Sequence, residues 1–566
     1  MIIYKDNQYF NIPAKFIFAI SCENLKPMKL FITSIIILYC SITFAAAQSS
    51  RTFSEEEKKA LNWYNLDPVK DKTWGAGIDK AYKDFLTGKK CNKIVVAVID
   101  GGVDINHEDL KGKMWINKKE IPGNSIDDDK NGFIDDIHGW NFLGNSKGEN
   151  IDYETLEVTR LFKKYSDIVK QANTMGTVPE NLPDMALLKK IDEVFRDEFE
   201  KAKKDYDDIT QFNMVYHIAD SLISKYLNKN DYTADDVKSI NTSDERIAAS
   251  KRFLLGAINS GFSKESHKEL TLDMTEKYLY HLNLEFNPRE IIGDDPETNT
   301  DSLYGNNDVA GPRADHGTFV AGIIAAVRNN NIGCDGIADN AEIMALRVVP
   351  NGDERDKDVA NAIRYAVDNG AKIINLSFGK DFSPQKNLVD KALIYAGQKN
   401  VLVVHAAGNE GDNNDVEIRY PTNRDSQNKP LLQSWLDVGA SSMKKGKNFP
   451  GFFSNYGKAS VELFAPGVDI LSLTPGNKYG VKSGTSFAAP VVSGIAALIM
   501  GAYPDLSAAE VRDILLQSVQ KYKKKVYLPG IKVNKRKKVK FENLSVTGGV
   551  ANAWNALKMA ESYKKK

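Results

Sequence analysis

Ile94-Val95-Val96-Ala97-Val98-Ile99 is an unbroken apolar run, mostly β-branched. A strand with no polar face needs cover on both sides, which is the situation of a parallel strand between helical layers. Similar runs follow at Glu342 to Val349, Lys372 to Ser377, Val401 to Ala406 and Val438 to Ser441. Between them, Gly317 to Val327, Lys357 to Asn369 and Asn387 to Lys399 carry helical spacing. This alternation predicts an α/β fold with a mostly parallel sheet, whose ligands bind beyond the carboxyl ends of the strands.

The rhythm breaks between residues 150 and 300. That stretch is charged and helical, with Leu187, Ile191, Val194 or Phe195, and Phe199 at helical spacing and Gly176, Pro179 and Pro183 dividing it. It is expected to be a long helical insertion within a domain spanning 94–520. Residues 48–93 form a preceding segment in which Ser54-Glu55-Glu56-Glu57 opens like a capped helix. Residues 521–566 are expected to hold a basic hairpin and a C-terminal helix. Lys521 to Lys540 carries ten Lys/Arg and no acids, and reads as a solvated β-hairpin rather than a polyanion patch.

Lys+Arg and Asp+Glu both total 75 in a chain of 566 residues, so the net charge is zero and no nucleic-acid partner is expected. From Met28, a lysine precedes the apolar run Leu30 to Tyr39, and Ala45-Ala46-Ala47 follows. Residues 1–47 thus read as an N-terminal extension and a secretory signal starting at Met28, with no membrane span after its removal. The expected destination is extracellular or the cell envelope. Lipoprotein anchoring fits less well: Tyr39 is too large before an acylated Cys40, and Ala19-Ile20-Ser21-Cys22, the better local fit, has a very short apolar lead-in. Cys91 and Cys334 would then remain, and the sequence leaves their pairing open.

Three segments carry the chemistry. Asp100 ends a buried strand in Val98-Ile99-Asp100-Gly101-Gly102. His316 opens a helix in Asp315-His316-Gly317-Thr318-Phe319-Val320-Ala321-Gly322. Ser486 opens an apolar helix in Ser483-Gly484-Thr485-Ser486-Phe487-Ala488-Ala489-Pro490. Serine is a poor nucleophile at neutral pH and needs an adjacent base, and the base needs a carboxylate to hold its tautomer. Taken singly, each residue has a structural explanation. In this order and these contexts they form a catalytic triad.

The chain resembles the subtilases, the subtilisin-like serine peptidases, over roughly residues 94–145 and 301–520. The resemblance implies a subtilisin-like three-layer fold and hydrolysis of polypeptides through an acyl-enzyme on Ser486. His316 would be the general base and acid, and Asp100 would orient it. Asn409 in Ala406-Ala407-Gly408-Asn409-Glu410-Gly411 would share the oxyanion hole with the Ser486 N–H. Ser377-Phe378-Gly379 would pair with an extended substrate, and Ala407-Gly408 would form the opposite wall. Glu410 would sit near the pocket mouth, weakly favouring basic side chains. The sequence departs from the family pattern in two ways. Phe319 replaces a usual histidine and is expected to pack under its helix. The interval from Asp100 to His316 is several times the usual one. The insertion leaves after Asp100 and returns just before His316, so it either caps the cleft or forms a remote docking subdomain.

Asp127-Asp128-Asp129-Lys130-Asn131-Gly132-Phe133-Ile134-Asp135-Asp136 spaces oxygen donors about a turn that Gly132 allows. This is the layout of a structural calcium loop, with Asp127, Asp129, Asn131, Phe133 (through its carbonyl), Asp135 and Asp136 as ligands. By the family resemblance, a second cation site would use carbonyls of Asn330 to Cys334 with Asp109. No organic cofactor is expected. The competing reading from another class is a catalytically idle subtilisin-like binding protein whose insertion is its interaction surface. Ester or transpeptidation chemistry on the same site is also compatible, and the oligomeric state is left open.

Overall fold

The computed structural model describes residues 54–175, 183–260, 262–298, 303–530 and 537–563. The secretory signal, Cys22, Cys40 and part of the basic hairpin lie outside the described residues.

Nine strands form the main sheet. In chain order they are β1 (Ile94–Asp100), β2 (Gly139–Asn141), β3 (Ala341–Arg347), β4 (Ile373–Leu376), β5 (Leu402–Ala406), β6 (Trp435–Ser441) and β7 (Leu463–Pro466), then two short late strands. Outside the sheet, β8 (Ile470–Thr474) and β9 (Lys478–Lys482) pair as a hairpin. The late sheet strands are β10 (Gln520–Lys521) and β13 (Gly549–Val550). Between them, β11 (Lys525–Tyr527) and β12 (Lys538–Lys540) make the expected basic hairpin. The spatial order is β10-β13-β7-β6-β5-β4-β1-β3-β2. All neighbours are parallel except the edge strand β10.

The strands bury both faces, as their composition requires. Val96, Val98, Ile343 and Ala345 face one layer, built by the helices Asp315–Ala325 and Thr485–Ala502. Ala97, Ile99, Met344 and Leu346 face the other, built by Asp356–Asp368 and Lys386–Gln398. The result is a three-layer α/β sandwich. Thr485–Ala502 is apolar enough to cross a membrane, but all of it is buried in this core.

Residues 54–93 belong to the same core. Ser54 and Glu57 make the anticipated capping box on helix Glu55–Leu61. Trp63 and Tyr64 are buried, donating to the Asp469 and Asp335 carbonyls. The C-terminal helix, Ala553–Tyr563, packs into the same layer.

Two compact units emerge among the described residues, and the separate one is narrower than the expected 150–300 insertion. It spans Asp197–Leu279, while 54–196 and 280–563 cluster with the sheet. The smaller unit is a helical cluster around Ile209, Phe212, Ile223, Leu254 and Leu270. The difference has a physical reason. The helix Glu157–Met175 and the segment around Arg289 bury ionised side chains against the core around the sheet. Arg289 meets Asp358 and Asp294, and Glu157 meets Lys380. Charge patterning along the sequence reads such residues as solvated. Tyr153 and Tyr280 stack with centroids 4.0 Å apart, and the Leu156 N–H donates to the His281 carbonyl, so the two ends of the excursion meet.

Candidate active site

β1 delivers Asp100 to the carboxyl edge of the sheet, where its side chain is 3% exposed. The His316 helix approaches closely because residue 317 is glycine. A Cβ there would lie 2.1 Å from the Gly102 carbonyl oxygen. This approach sets His316 Nδ1 at 2.8 and 2.9 Å from the two carboxylate oxygens of Asp100. Asp100 also accepts the Gly101 N–H at 2.7 Å. A carboxylate acceptor on Nδ1 fixes that nitrogen as the N–H and leaves Nε2 as the base. The two residues are 216 positions apart, so the whole excursion leaves their geometry intact.

Ser486 lies in the first turn of Thr485–Ala502 and is 9% exposed. Its Oγ donates to the Ser377 carbonyl at 3.0 Å, and the Ser377 hydroxyl returns a bond to the Ser486 carbonyl at 2.8 Å. Rotation about one side-chain bond redirects the Oγ, and hydrogen bonds of this kind commonly tighten only with substrate in place. Phe487 packs against the His316 ring at 5.5 Å and against Phe319 at 4.6 Å. Phe319 is fully buried, so the departure from the family pattern is a packing residue, as anticipated.

Asn409 is oriented by the turn that carries the serine. Its Oδ1 accepts both the N–H and the hydroxyl of Thr485, at 2.9 and 3.0 Å. The amide nitrogen is thereby turned away as a donor. Thr485 Oγ1 also accepts the Gly408 N–H at 3.1 Å. Gly408 has φ +109°, and a Cβ there would lie 2.3 Å from Asn455 Nδ2. Asn455 escaped the sequence reading although it ties this wall together. It accepts from the Glu410 and Asp412 N–H groups and donates to the Glu410 carboxylate.

Glu410 is less available than expected. Its Oε2 accepts from Asn455 and from the Asn409 N–H and lies 3.4 Å from Arg419 Nε. Arg419 also pairs with Asp412 and Asp381. Of the facing edge, Ser377 is buried, Phe378 half-buried and Gly379 exposed. Ala407 is buried at the foot of the other wall. Lys482 stands three residues before Thr485. Burial lowers its pKa, with Asp315 and Asp100 acting in the opposite direction.

The acidic loop assembles differently from its spacing. Asp127 and Asp129 converge with Glu120, which the sequence reading missed, with carboxylate oxygens within 4.8 Å of one another. Gly132 makes the bend at φ +95°. Asp135 instead accepts the Gly123, Asn124 and Ser125 N–H groups. Asp136 accepts from Asn117, Asn131 and Tyr365. Asn131 Oδ1 takes the Phe133 N–H, and the Phe133 ring packs on Trp140 and Tyr365. Loop residues 330–334 do wrap Asp109, but through donors: Asn330 Nδ2 at 2.6 Å and the Cys334 N–H at 3.4 Å. Burial pushes the Asp109 carboxyl up to about 6. Cys91 and Cys334 are both free thiols.

Known proteins are similar to this chain over part of its length. A thermophilic serine proteinase of Bacillus sp. (strain AK1) is 40% identical over 207 residues, 36% of this chain and 47% of that protein. The chain therefore spans about half the length of this relative. Subtilisin DY of Bacillus licheniformis is 39% identical over 204 residues, 35% of this chain and 68% of that protein. Among solved structures, a protease of Pseudoalteromonas arctica PAMC 21717 aligns over 88% of this chain and 97% of its own. Its TM-score is 0.43 and its identity 19%. The profile of the subtilase family matches residues 91–542, four-fifths of the chain, and the chain belongs to that family.

Proposed function

We propose that the chain is an exported serine endopeptidase acting on polypeptides. The observation that carries this reading is the Asp100–His316 pair, with its bond at 2.8 Å and the histidine ring 5.5 Å from that of Phe487, the residue after Ser486. Ser486 Oγ attacks the scissile carbonyl carbon and its proton passes to His316 Nε2. The carbonyl oxygen becomes an oxyanion that accepts from Asn409 Nδ2 and the Ser486 N–H. The imidazolium, stabilised by Asp100, then protonates the leaving amine, and water repeats the sequence on the acyl-enzyme. Ser377-Phe378-Gly379 and Ala407-Gly408 flank the substrate, and the Glu410 carboxylate contributes little selection because Arg419 and Asn455 occupy it. Export rests on the basic, apolar and small-residue pattern before Gln48.

The acidic loop fits a calcium ion through Glu120, Asp127 and Asp129, three hard oxygen donors about a glycine bend. The ion would be structural, holding the loop between β1 and β2.

The decisive test is labelling of the purified chain with a fluorophosphonate, followed by casein cleavage. Wild type is expected to label and cleave. Ser486→Ala is expected to do neither while keeping its melting curve. An unlabelled, folded wild type would instead make the chain a subtilisin-like binding protein.

A further inference from the structure

β5 reads Leu402-Val403-Val404-His405-Ala406, and its one polar residue is 2% exposed. The parallel register aligns Leu376, His405 and Asp437 across β4, β5 and β6. His405 shares its sheet face with Val403, and Asp437 with Trp435. Val404 and Ala406 face the Ser486 helix on the other side. His405 is therefore outside the triad, behind the sheet. Its Nδ1 lies 2.5 Å from Asp437 Oδ1, and its Nε2 lies 3.0 Å from the Phe378 carbonyl oxygen. Trp435 Nε1 donates to the second Asp437 oxygen at 2.8 Å, and its ring flanks the imidazole at 5.2 Å.

Both groups that face the ring nitrogens are acceptors. A neutral imidazole has one N–H and one bare nitrogen, so beside an ionised Asp437 it would turn a lone pair toward one of them. With His405 buried, such a mismatch costs about as much as an unmade hydrogen bond. The geometry therefore calls for a proton in each bond, one between Asp437 and Nδ1 and one between Nε2 and the Phe378 carbonyl.

That carbonyl belongs to the substrate edge. Successive carbonyls of an extended segment point to opposite sides. With Phe378 anchored inward by His405, its neighbours turn toward the cleft, where the Ser377 carbonyl meets Ser486 Oγ at 3.0 Å and Gly379 is exposed. We propose that His405 is a positioning residue: held by Asp437, its Nε2–H fixes the Phe378 carbonyl and with it the course of the edge that pairs with extended substrates. This rests on the peptidase reading above, since a substrate edge has meaning only there.

The test uses the full chain, with reactive sites counted by fluorophosphonate. Turnover is measured on a peptide with four residues before the scissile bond and on a single-residue ester. In His405→Phe, the ratio of kcat/KM for peptide over ester is expected to fall about tenfold through KM, the equivalent of one lost hydrogen bond. Equal losses on both substrates, or none, would overturn the proposal. Independently, 15N-histidine spectra of the wild type, which has seven histidines, are expected to show His405 Nε2 protonated. A bare Nε2 would overturn the proposal even where a variant does not fold. A wild type that does not label would defeat the peptidase reading instead, and the spectra would still decide the protons.

Discussion

Glu157 Oε2 lies 2.8 Å from Lys380 Nζ, and both side chains are buried. The contact joins the first turn of the excursion's first helix to the residue that follows Gly379 of the proposed substrate edge. Lys380 also reaches Asp356 at 2.9 Å and the Glu354 carbonyl at 2.7 Å, while Arg160 closes on Glu157 from the other side. Burial alone would raise the Glu157 carboxyl, but Arg160 and Lys380 outweigh it and hold the group well below the usual carboxylate range.

Removing one partner strands the other charge in the interior. Lys380→Met is expected to destabilise the fold by about 3–5 kcal/mol, the usual cost of breaking a buried pair. Guanidinium denaturation checks this. Adding Glu157→Gln is expected to recover part of the loss. A Lys380→Met variant as stable as wild type would show that the pair contributes nothing.

Glu354 sits beside this network, buried, with one carboxylate oxygen lacking a hydrogen-bond partner. Burial, only partly offset by Lys380, pushes its pKa from 4.5 up to about 8. A raised carboxyl favours the folded state below its unfolded pKa, and that contribution is lost as pH rises toward the folded value. Glu354→Gln stays neutral throughout. Its melting temperature relative to wild type is therefore expected to climb between about pH 4.5 and about pH 8 and then level off. A difference independent of pH would contradict the assignment.

The proposed oxyanion donor, Asn409, depends on Thr485 for its aim. Asn409→Leu is expected to lower kcat about 10²–10³-fold with KM nearly unchanged. Thr485→Val leaves the amide present but loosely held, and a smaller fall of about tenfold is expected from the one lost hydrogen bond. Steady-state kinetics on one peptide distinguishes the two. A loss of KM alone in Asn409→Leu would remove this residue from the oxyanion hole.

Calcium that binds only the folded loop stabilises it by mass action, about 2.7 kcal/mol at a hundredfold excess over Kd. Chelator is expected to lower the melting temperature of wild type and to leave a Glu120→Ala, Asp127→Ala, Asp129→Ala variant unmoved. Scanning calorimetry with and without calcium decides this, and identical wild-type curves would end the idea.

Replacing residues 197–279 by a short Gly/Ser linker is expected to leave a folded enzyme that still turns over a small peptide, because the ion network and the Tyr153–Tyr280 stack remain. Casein then reports on gating. A larger gain on casein than on the peptide supports a cap over the cleft, and equal rates support a remote docking unit.

The strands and the Asp100–His316 pair were legible because each rests on local signals: an apolar run bounded by turns, or a short motif on a known element. The strands fall within a few residues of the expected runs, and Asp100 and His316 meet as the resemblance implies. What was hidden depends on chain segments far apart. Asp135 and Asp136 satisfy the spacing of a cation loop but are claimed by backbone N–H groups of 123–125 and by Tyr365. Glu410 looked free until Asn455 and Arg419 came beside it. His405 was passed over within the apolar run Val401 to Ala406, because its meaning lies in Asp437 and Phe378. The separate compact unit is narrower than 150–300, and buried ion pairs hid this because they look like surface charge when read one residue at a time.

The stacked Tyr153 and Tyr280, with the Leu156–His281 bond beside them, close the excursion at its base. The entropy of closing a flexible loop grows only with the logarithm of its length, about 0.6 kcal/mol per doubling. Once the base is pinned, the peptidase core is nearly indifferent to how much chain lies beyond it. The base is thus a mutational port: material there can lengthen, shrink or be exchanged at little thermodynamic cost, while the pinning residues and the ion pairs around them are constrained as tightly as the interior of the sheet.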